Sequence, residues 1–483
     1  MGSVASVVNR KRCKRKEDYV DTDHQLTAFY SLLSSLHHCR VSTMQPFSRK
    51  SLIALTAFLL FSTTVAYAQT SSLKQAVEAD YPYLDMLFKH FHANPELSMQ
   101  EFKTSDRLAK ELNDLGYTLN RNIGKTGLVA TLKNGKGPTL MIRADMDALP
   151  VKEKTGLAYA STVTQTNLED LVMPVMHACG HDMHMTSLVG VARRMAAMRD
   201  QWSGTLQLLG QPAEESLGGA LAMVADNLYQ RVGRPDFALA MHVIAKYPAG
   251  KIAFSDGLMY SSADTVRIIV KGVATHGASP HRGKDPVLIG SQIVVALQSI
   301  VTREVSPIEP ALITVGAFRA GTAPNVITDS AQLDITVRAN TEKTRALLLK
   351  SITRVAIQTA RAAGVAEDAL PEVIIAPNGA PTTTNTAELA QRVRKAMRAG
   401  MPEDTFVDWY QSDMGAEDFP DLVGIDPPIP SVYFEVGGTP AEKIATGEFA
   451  GHHSPLFQID PVLSIKSAVE SMTLAALDLL QKK

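Results

Sequence analysis

The stretch "TLMIRADMD", Thr139 to Asp147, begins as a short apolar run behind a proline and ends in two carboxylates, Asp145 and Asp147. A run of this length and composition reads as a buried strand whose last residues emerge at its carboxyl end. Four other stretches have the same character: "GLVATL" (127–132), "TLQLLGQ" (205–211), "DFALAMHV" (236–243) and "PSVYFEVGG" (430–438). Longer helical patterns lie between them, among them "HMTSLVGVARRMAAMRD" (184–200) and "GGALAMVADNLYQRV" (218–232). Strands alternating with helices predict an α/β fold with a mainly parallel sheet and helices on both faces.

From about Ser261 the pattern changes. It reads strand (264–272), helix (286–301), two strands (311–318 and 331–340), helix (341–364) and strand (371–377). This βαββαβ order makes a compact ferredoxin-like unit. The expected organisation is a parent domain over 69–260 and 378–483, with a smaller domain, 261–377, inserted into it. With 483 residues, 45% of them hydrophobic, the chain is long enough for two cores. A net charge of -1 lacks the basic footprint of a nucleic-acid binder. Small-molecule chemistry is the better expectation.

From Met44 the chain runs "MQPFSRKSLIALTAFLLFSTTVAYAQ": two basic residues, an apolar run too short to span a bilayer, then Ala66-Tyr67-Ala68. This is the layout of a signal peptide over 44–68, cleaved after Ala68, which predicts an exported protein, periplasmic or secreted, with no membrane attachment after cleavage. Residues 1–43 then read as a non-native extension ahead of the true start. Cys13 and Cys39 would leave with the leader, so the mature chain would keep only Cys179. An internal disulfide is then excluded, and metal coordination gives that thiol a reason to persist in an oxidising compartment.

Ligands of open α/β sheets gather beyond the carboxyl ends of strands. Asp145 and Asp147, the pair Glu214–Glu215 in "QPAEE", His242, and "GHHSP" after the last strand are all expected at that edge, together with the nearby loop "MHACGHDMH" (176–184). Thiolate and imidazole suit zinc, and carboxylates also accept manganese. Cobalt and nickel fit the same donors. In an extended loop, Cys179 and His181 would project to one side and grip a metal pair. Glu214 and Glu215, if extended, would point apart, one ligating and one standing free as a general base. Taken singly, His242 reads as a core histidine, "GHHSP" as a surface turn, the aspartates as a turn and a helix cap, and the glutamates as an acidic pair at a helix start. Their joint occurrence is what favours a metal site.

The ordered set "RADMDALP", "MHACGHDMH", "QPAEE", "MHV", "HGASPH", "APNVI", "MGAEDF" and "HHSP" resembles the hippurate hydrolase and auxin-conjugate amidohydrolase group, within the carboxypeptidase G and aminoacylase superfamily of dinuclear metallohydrolases. The resemblance implies two divalent ions per subunit, held by Cys179, His181, Glu215, His242 and His453, with Glu214 as general base. His453, directly before Ser-Pro, is preferred over His452 on the family pattern. Asp147 matches a carboxylate supporting the site, with Asp145 beside it. His276 matches a lid residue that reaches a substrate oxygen, often across a dimer. Asn325 and Arg338 match the region holding the substrate carboxylate. His177 and His184 have no assigned role.

The implied reaction is hydrolysis of the amide of an N-acyl or N-aroyl amino acid, in a homodimer or higher homo-oligomer acting on a small molecule. One alternative is a dipeptide-cleaving metallopeptidase. Another, from a different class, is a periplasmic solute-binding protein, which has no need of these donors.

Overall fold

The computed structural model describes residues 72–482. The leader over 44–68, the extension 1–43, Cys13 and Cys39 lie outside the described residues. The larger sheet has seven strands, in the order Thr118–Ile123, Gly127–Asn134, Gly204–Gln211, Thr139–Asp145, Phe237–Pro248, Ser431–Thr439 and Ile252–Ala253. The four central strands run parallel. The outer ones pair antiparallel. The sheet is thus mainly parallel at its centre and mixed at its edges, because the tight connection at 124–126 can only return the chain antiparallel.

Every residue of Ser431–Thr439 is buried, as are six consecutive residues of Thr139–Asp145. Burial without alternation means both faces are covered. The cover includes helices Phe102–Asp114, His181–Ala197, Ala387–Gly400 and Pro461–Leu479. Leu140, Ile142, Leu208, Val189, Val432, Phe434 and Val469 belong to one continuous core. A Cβ on Gly190 would come within 2.4 Å of Val469 Cγ2, so the His181 helix approaches the C-terminal helix closely where it lacks a side chain. The stretch 218–232 forms two short helices, Gly219–Ala225 and Leu228–Val232, not one. Asn227 between them is left-handed at φ 60°, and Asp226 accepts from Gly124 N and Arg231 Nη1, tying the break to the edge hairpin.

The second sheet is antiparallel, in the order Ala311–Ala320, Ser330–Ala339, Ser262–Lys271 and Glu372–Ile375. Helices Pro286–Arg303 and Glu342–Ala362 pack on it. It has its own core of Val266, Ile268, Ile293, Leu297, Ile335, Leu348 and Ile352. Burial alternates along Ser330–Ala339. Leu333, Ile335 and Val337 therefore face the helices, while Asp334, Thr336 and Arg338 face away. That second face becomes part of the functional site.

Candidate metal centre

Asp145 is the last residue of its strand, and its pairing with Phe237–Pro248 ends at Arg143 opposite Ala240. His242 therefore sits two residues beyond its neighbour's last pair, although its own strand continues to Pro248. The sequence reading placed it near a strand end; the strand is longer, and it is the neighbouring chain that turns away.

Two local expectations are corrected. The Cys179–His181 segment is not extended: Gly180 is left-handed at φ 89° and His181 is the first residue of its helix. A Cβ on Gly180 would lie 2.3 Å from Val243 Cγ1, so only glycine fits the turn. Glu214 and Glu215 also lie in a turn, entered through Ala213 at φ 50°. Asp147 fixes this turn by accepting from both Glu214 N and Glu215 N at 3.1 Å, and from Ser98 Oγ at 2.6 Å. Both glutamates consequently face His181 Nε2, at 3.7 Å and 3.9 Å, and do not point apart.

Hydrogen bonds fix which nitrogen each histidine presents. His181 Nδ1 donates to the Asp147 carbonyl at 2.8 Å, leaving Nε2 toward the glutamates. His242 Nδ1 donates to the Val243 carbonyl at 2.6 Å, leaving Nε2 3.4 Å from Cys179 Sγ. His184 is occupied on both sides: Nε2 accepts from Val243 N at 2.8 Å and Nδ1 meets Asp145 at 2.6 Å. His452 Nε2 accepts from Ala245 N at 3.2 Å. His453 is half exposed and left-handed at φ 64°, with Nε2 3.3 Å from Glu215 Oε2. Potential ligand atoms of Cys179, His181 and His242 lie within 4.8 Å of one another, as do those of Cys179, Glu215 and His453.

These donors fit a pair of divalent cations on two counts. His181 Nε2 and Glu215 Oε1 are buried without a hydrogen-bond partner, the state of ligand atoms awaiting an ion. Negative charge is also concentrated there: Asp145, Asp147, Glu214, Glu417 and Asp418 are all buried, and the buried Arg143 guanidinium pairs with three of them, Asp145, Glu417 and Asp418. Burial, reinforced by Glu417 and Glu215, holds the Glu214 carboxyl well above its ordinary range. Burial likewise raises Glu215 to about 7 and, with both glutamates beside it, pushes the Cys179 thiol up. His181 goes the other way: burial lowers it, but Asp145 and Asp147 outweigh that and raise it to about 10. Cations at the centre would reverse the repulsion among the acids.

The centre opens into a cleft of about 590 Å³, bounded by Cys179, Glu214, Glu215, His242 and His453 on one side. Leu312, Thr314, Thr336 and Arg338 of the smaller sheet line it as well. Arg338 pairs with Leu312, and Thr336 with Thr314, so cross-strand register groups these four on the face away from the helices. Within one chain, His276 and Asn325 are not brought to the cleft. His276 pairs with Val326 in a two-residue ribbon, its Nδ1 accepts from Ala278 N, and it is exposed.

Residues 141–473 match the family described as Peptidase family M20/M25/M40. The chain belongs to that family. It is 37% identical over 329 residues to the hippurate hydrolase of Campylobacter jejuni, covering 68% of this chain and 82% of that one. It is 33% identical over 392 residues to thermostable carboxypeptidase 1 of Saccharolobus solfataricus, covering 80% and 93% respectively. Among solved structures, the Bacillus subtilis YXEP protein, a dinuclear metal binding peptidase from the M20 family, superposes with a TM-score of 0.67 at 28% identity, covering 83% of this chain and 99% of that one. This M20 chain is an amidohydrolase and a metal-dependent hydrolase, and the solute-binding alternative falls.

Sequence reasoning passed over the floor beneath the M20 centre. Arg143, fully buried, donates to Asp145 at 2.6 Å, Gln211 at 2.8 Å and Glu417 at 2.7 Å, and approaches Asp418 at 3.3 Å. Tyr433 donates to Glu417. Glu101, buried and raised to about 7 by burial and Asp147, accepts from Ala213 N and so braces the glutamate turn from beneath. The "RADMD" and "MGAEDF" motifs contained Arg143, Glu417 and Asp418, but no local signal says that positions 274 residues apart meet.

Proposed function

We propose that this M20 enzyme hydrolyses the amide bond of N-acyl or N-aroyl amino acids, using two zinc or manganese ions held by Cys179, His181, Glu215, His242 and His453. The observation that carries this reading is one cleft lined by Cys179, both glutamates, His242 and Arg338, with His242 Nε2 turned toward Cys179 and the adjacent His181 Nε2 toward the glutamates. The ions supply Lewis acidity toward the amide carbonyl and lower the pKa of water. Glu214 is the general base: it faces the centre beside Glu215 and is not among the ligands, so it is placed to take a proton from the attacking water and pass it to the departing amine. Arg338, half-buried, receives the substrate carboxylate, and Asp145 and Asp147 hold the histidines and the glutamate turn in place.

His276 and Asn325 act from a second copy of the chain. Helix Pro286–Arg303 exposes Val287, Leu288 and Val295, and the unpaired edge strand Ala311–Ala320 exposes Phe318. An apolar helix face beside an open strand edge is suited to self-pairing in a homodimer. That dimer would bring the exposed His276 of one copy to the cleft of the other, where it donates to the oxyanion. Export rests on the leader pattern at 44–68, and N-terminal sequencing of the exported protein should begin at Gln69.

A dipeptide substrate is the second reading, favoured by Asp413 at the cleft, a carboxylate able to meet a free α-amine. Hydrolysis of benzoylglycine set against glycylglycine separates the two. The acyl-amino-acid reading expects the higher kcat/KM for benzoylglycine, and the reverse order would transfer the assignment to a dipeptidase.

A further inference from the structure

The doubled histidine in "GHHSP" leaves His452 without a place among the metal ligands, although its ring lies against the centre. Its Nδ1 is 3.7 Å from Cys179 Sγ. Its Nε2 faces the Ala245 N–H at 3.2 Å, so Nε2 carries the lone pair and Nδ1 carries the proton. The ring is clamped in that orientation by Phe457, centroid to centroid 4.6 Å, and by His242 at 5.3 Å. His453 N donates to the Ala178 carbonyl at 2.8 Å, fixing this loop against the cysteine loop.

We infer that His452 is a positioning residue for the cysteine ligand: its Nδ1–H donates to Cys179 Sγ, aims the sulfur toward the ions and stabilises its thiolate. A donor to a ligating sulfur lowers the energy of the sulfur lone pairs and tunes both metal affinity and ligand-to-metal charge transfer. The backbone carbonyl of Cys179 competes for the same N–H. A bond to that carbonyl would anchor the loop and leave the sulfur unaffected. The inference rests on Cys179 being a metal ligand.

Two substitutions separate the ring's two ends. His452→Asn keeps an N–H near the Nδ1 position, facing the sulfur, and His452→Gln keeps an acceptor near the Nε2 position, facing Ala245. Each full-length variant is loaded with cobalt(II) to record the thiolate-to-cobalt band, and with zinc to measure affinity by chelator competition. Melting temperatures of the metal-free proteins serve as the folding control. The expected result is that His452→Gln moves the band to longer wavelength and weakens zinc about tenfold, while His452→Asn stays close to the unaltered protein in both. The assignment is overturned if His452→Gln leaves band and affinity unchanged, or if both variants shift them alike. If the unaltered protein shows no thiolate-to-cobalt band at all, what fails is the reading of Cys179 as a ligand.

Discussion

Glu214 and Glu215 are chemically identical and one position apart, and their surroundings separate them. Glu215 shares its space with Cys179 and His453, whereas Glu214 is grouped with the buried acids Glu417 and Asp418. The first arrangement suits a ligand and the second a proton carrier. Glu214→Gln should therefore retain both metal ions by elemental analysis while losing about 10²–10⁴-fold in kcat. Near-normal turnover in that variant would remove Glu214 from the chemistry. At this scale the sequence was informative about which residues gather, since Asp145, Cys179, His181, Glu215 and His242 lie in one set of neighbouring groups. It was poor about orientation. Whether His452 or His453 turns its free nitrogen inward depends on a left-handed backbone at His453 and a strand N–H at Ala245, and no local pattern encodes either.

Among the elements, the turns hold the centre. The left-handed Gly180 places Cys179 and His181 on either side of a helix start, and Asp147 binds the two consecutive amides of the glutamate turn. Strand and helix identity followed from apolar runs and their spacing. These turns did not, because they are imposed by Val243, Asp147 and Glu101 from remote segments. One further tie can be tested through pH. His92, buried on the helix over 72–93, lies between Asp182 at 2.7 Å and Glu153 at 3.1 Å, joining that helix to the start of the His181 helix and to the loop that follows strand Thr139–Asp145. Burial lowers its pKa, but the two carboxylates outweigh that and raise it to about 9. Its folded value lies above its unfolded one, so the stabilisation is complete below about pH 6.5 and disappears as pH rises through about 9. His92→Gln should accordingly cost on the order of 2 kcal/mol at pH 6 and almost nothing at pH 10, read from denaturant unfolding at the two pH values. An equal cost at both would show that packing, not the charged pairs, is what His92 provides.

On the scale of the molecule, the larger domain supplies Cys179, Glu214, Glu215 and His242 to the cleft and the open face of the smaller sheet supplies Arg338. The change in pattern near residue 261 made that second sheet visible in the sequence. Which of its faces meets the cleft was not, because alternation alone gives two equivalent sides until the helices cover one. His276 lies away from the cleft of its own chain, so in the proposed dimer it would serve the partner's site. Mixing His276→Ala chains with Glu214→Gln chains, each inactive alone, should then restore about a quarter of the activity after random subunit exchange. Absence of recovery from a mixture shown to form hybrid dimers would place His276 outside the reaction.

The most direct test of the whole account is the rate of glycine release from benzoylglycine by the full-length, zinc- or manganese-loaded protein, measured before and after removal of the ions by a chelator. The account predicts turnover that is lost with the metal and returns with about two equivalents of it per chain. Turnover that survives complete metal removal, or no release of glycine from the loaded protein, would contradict it.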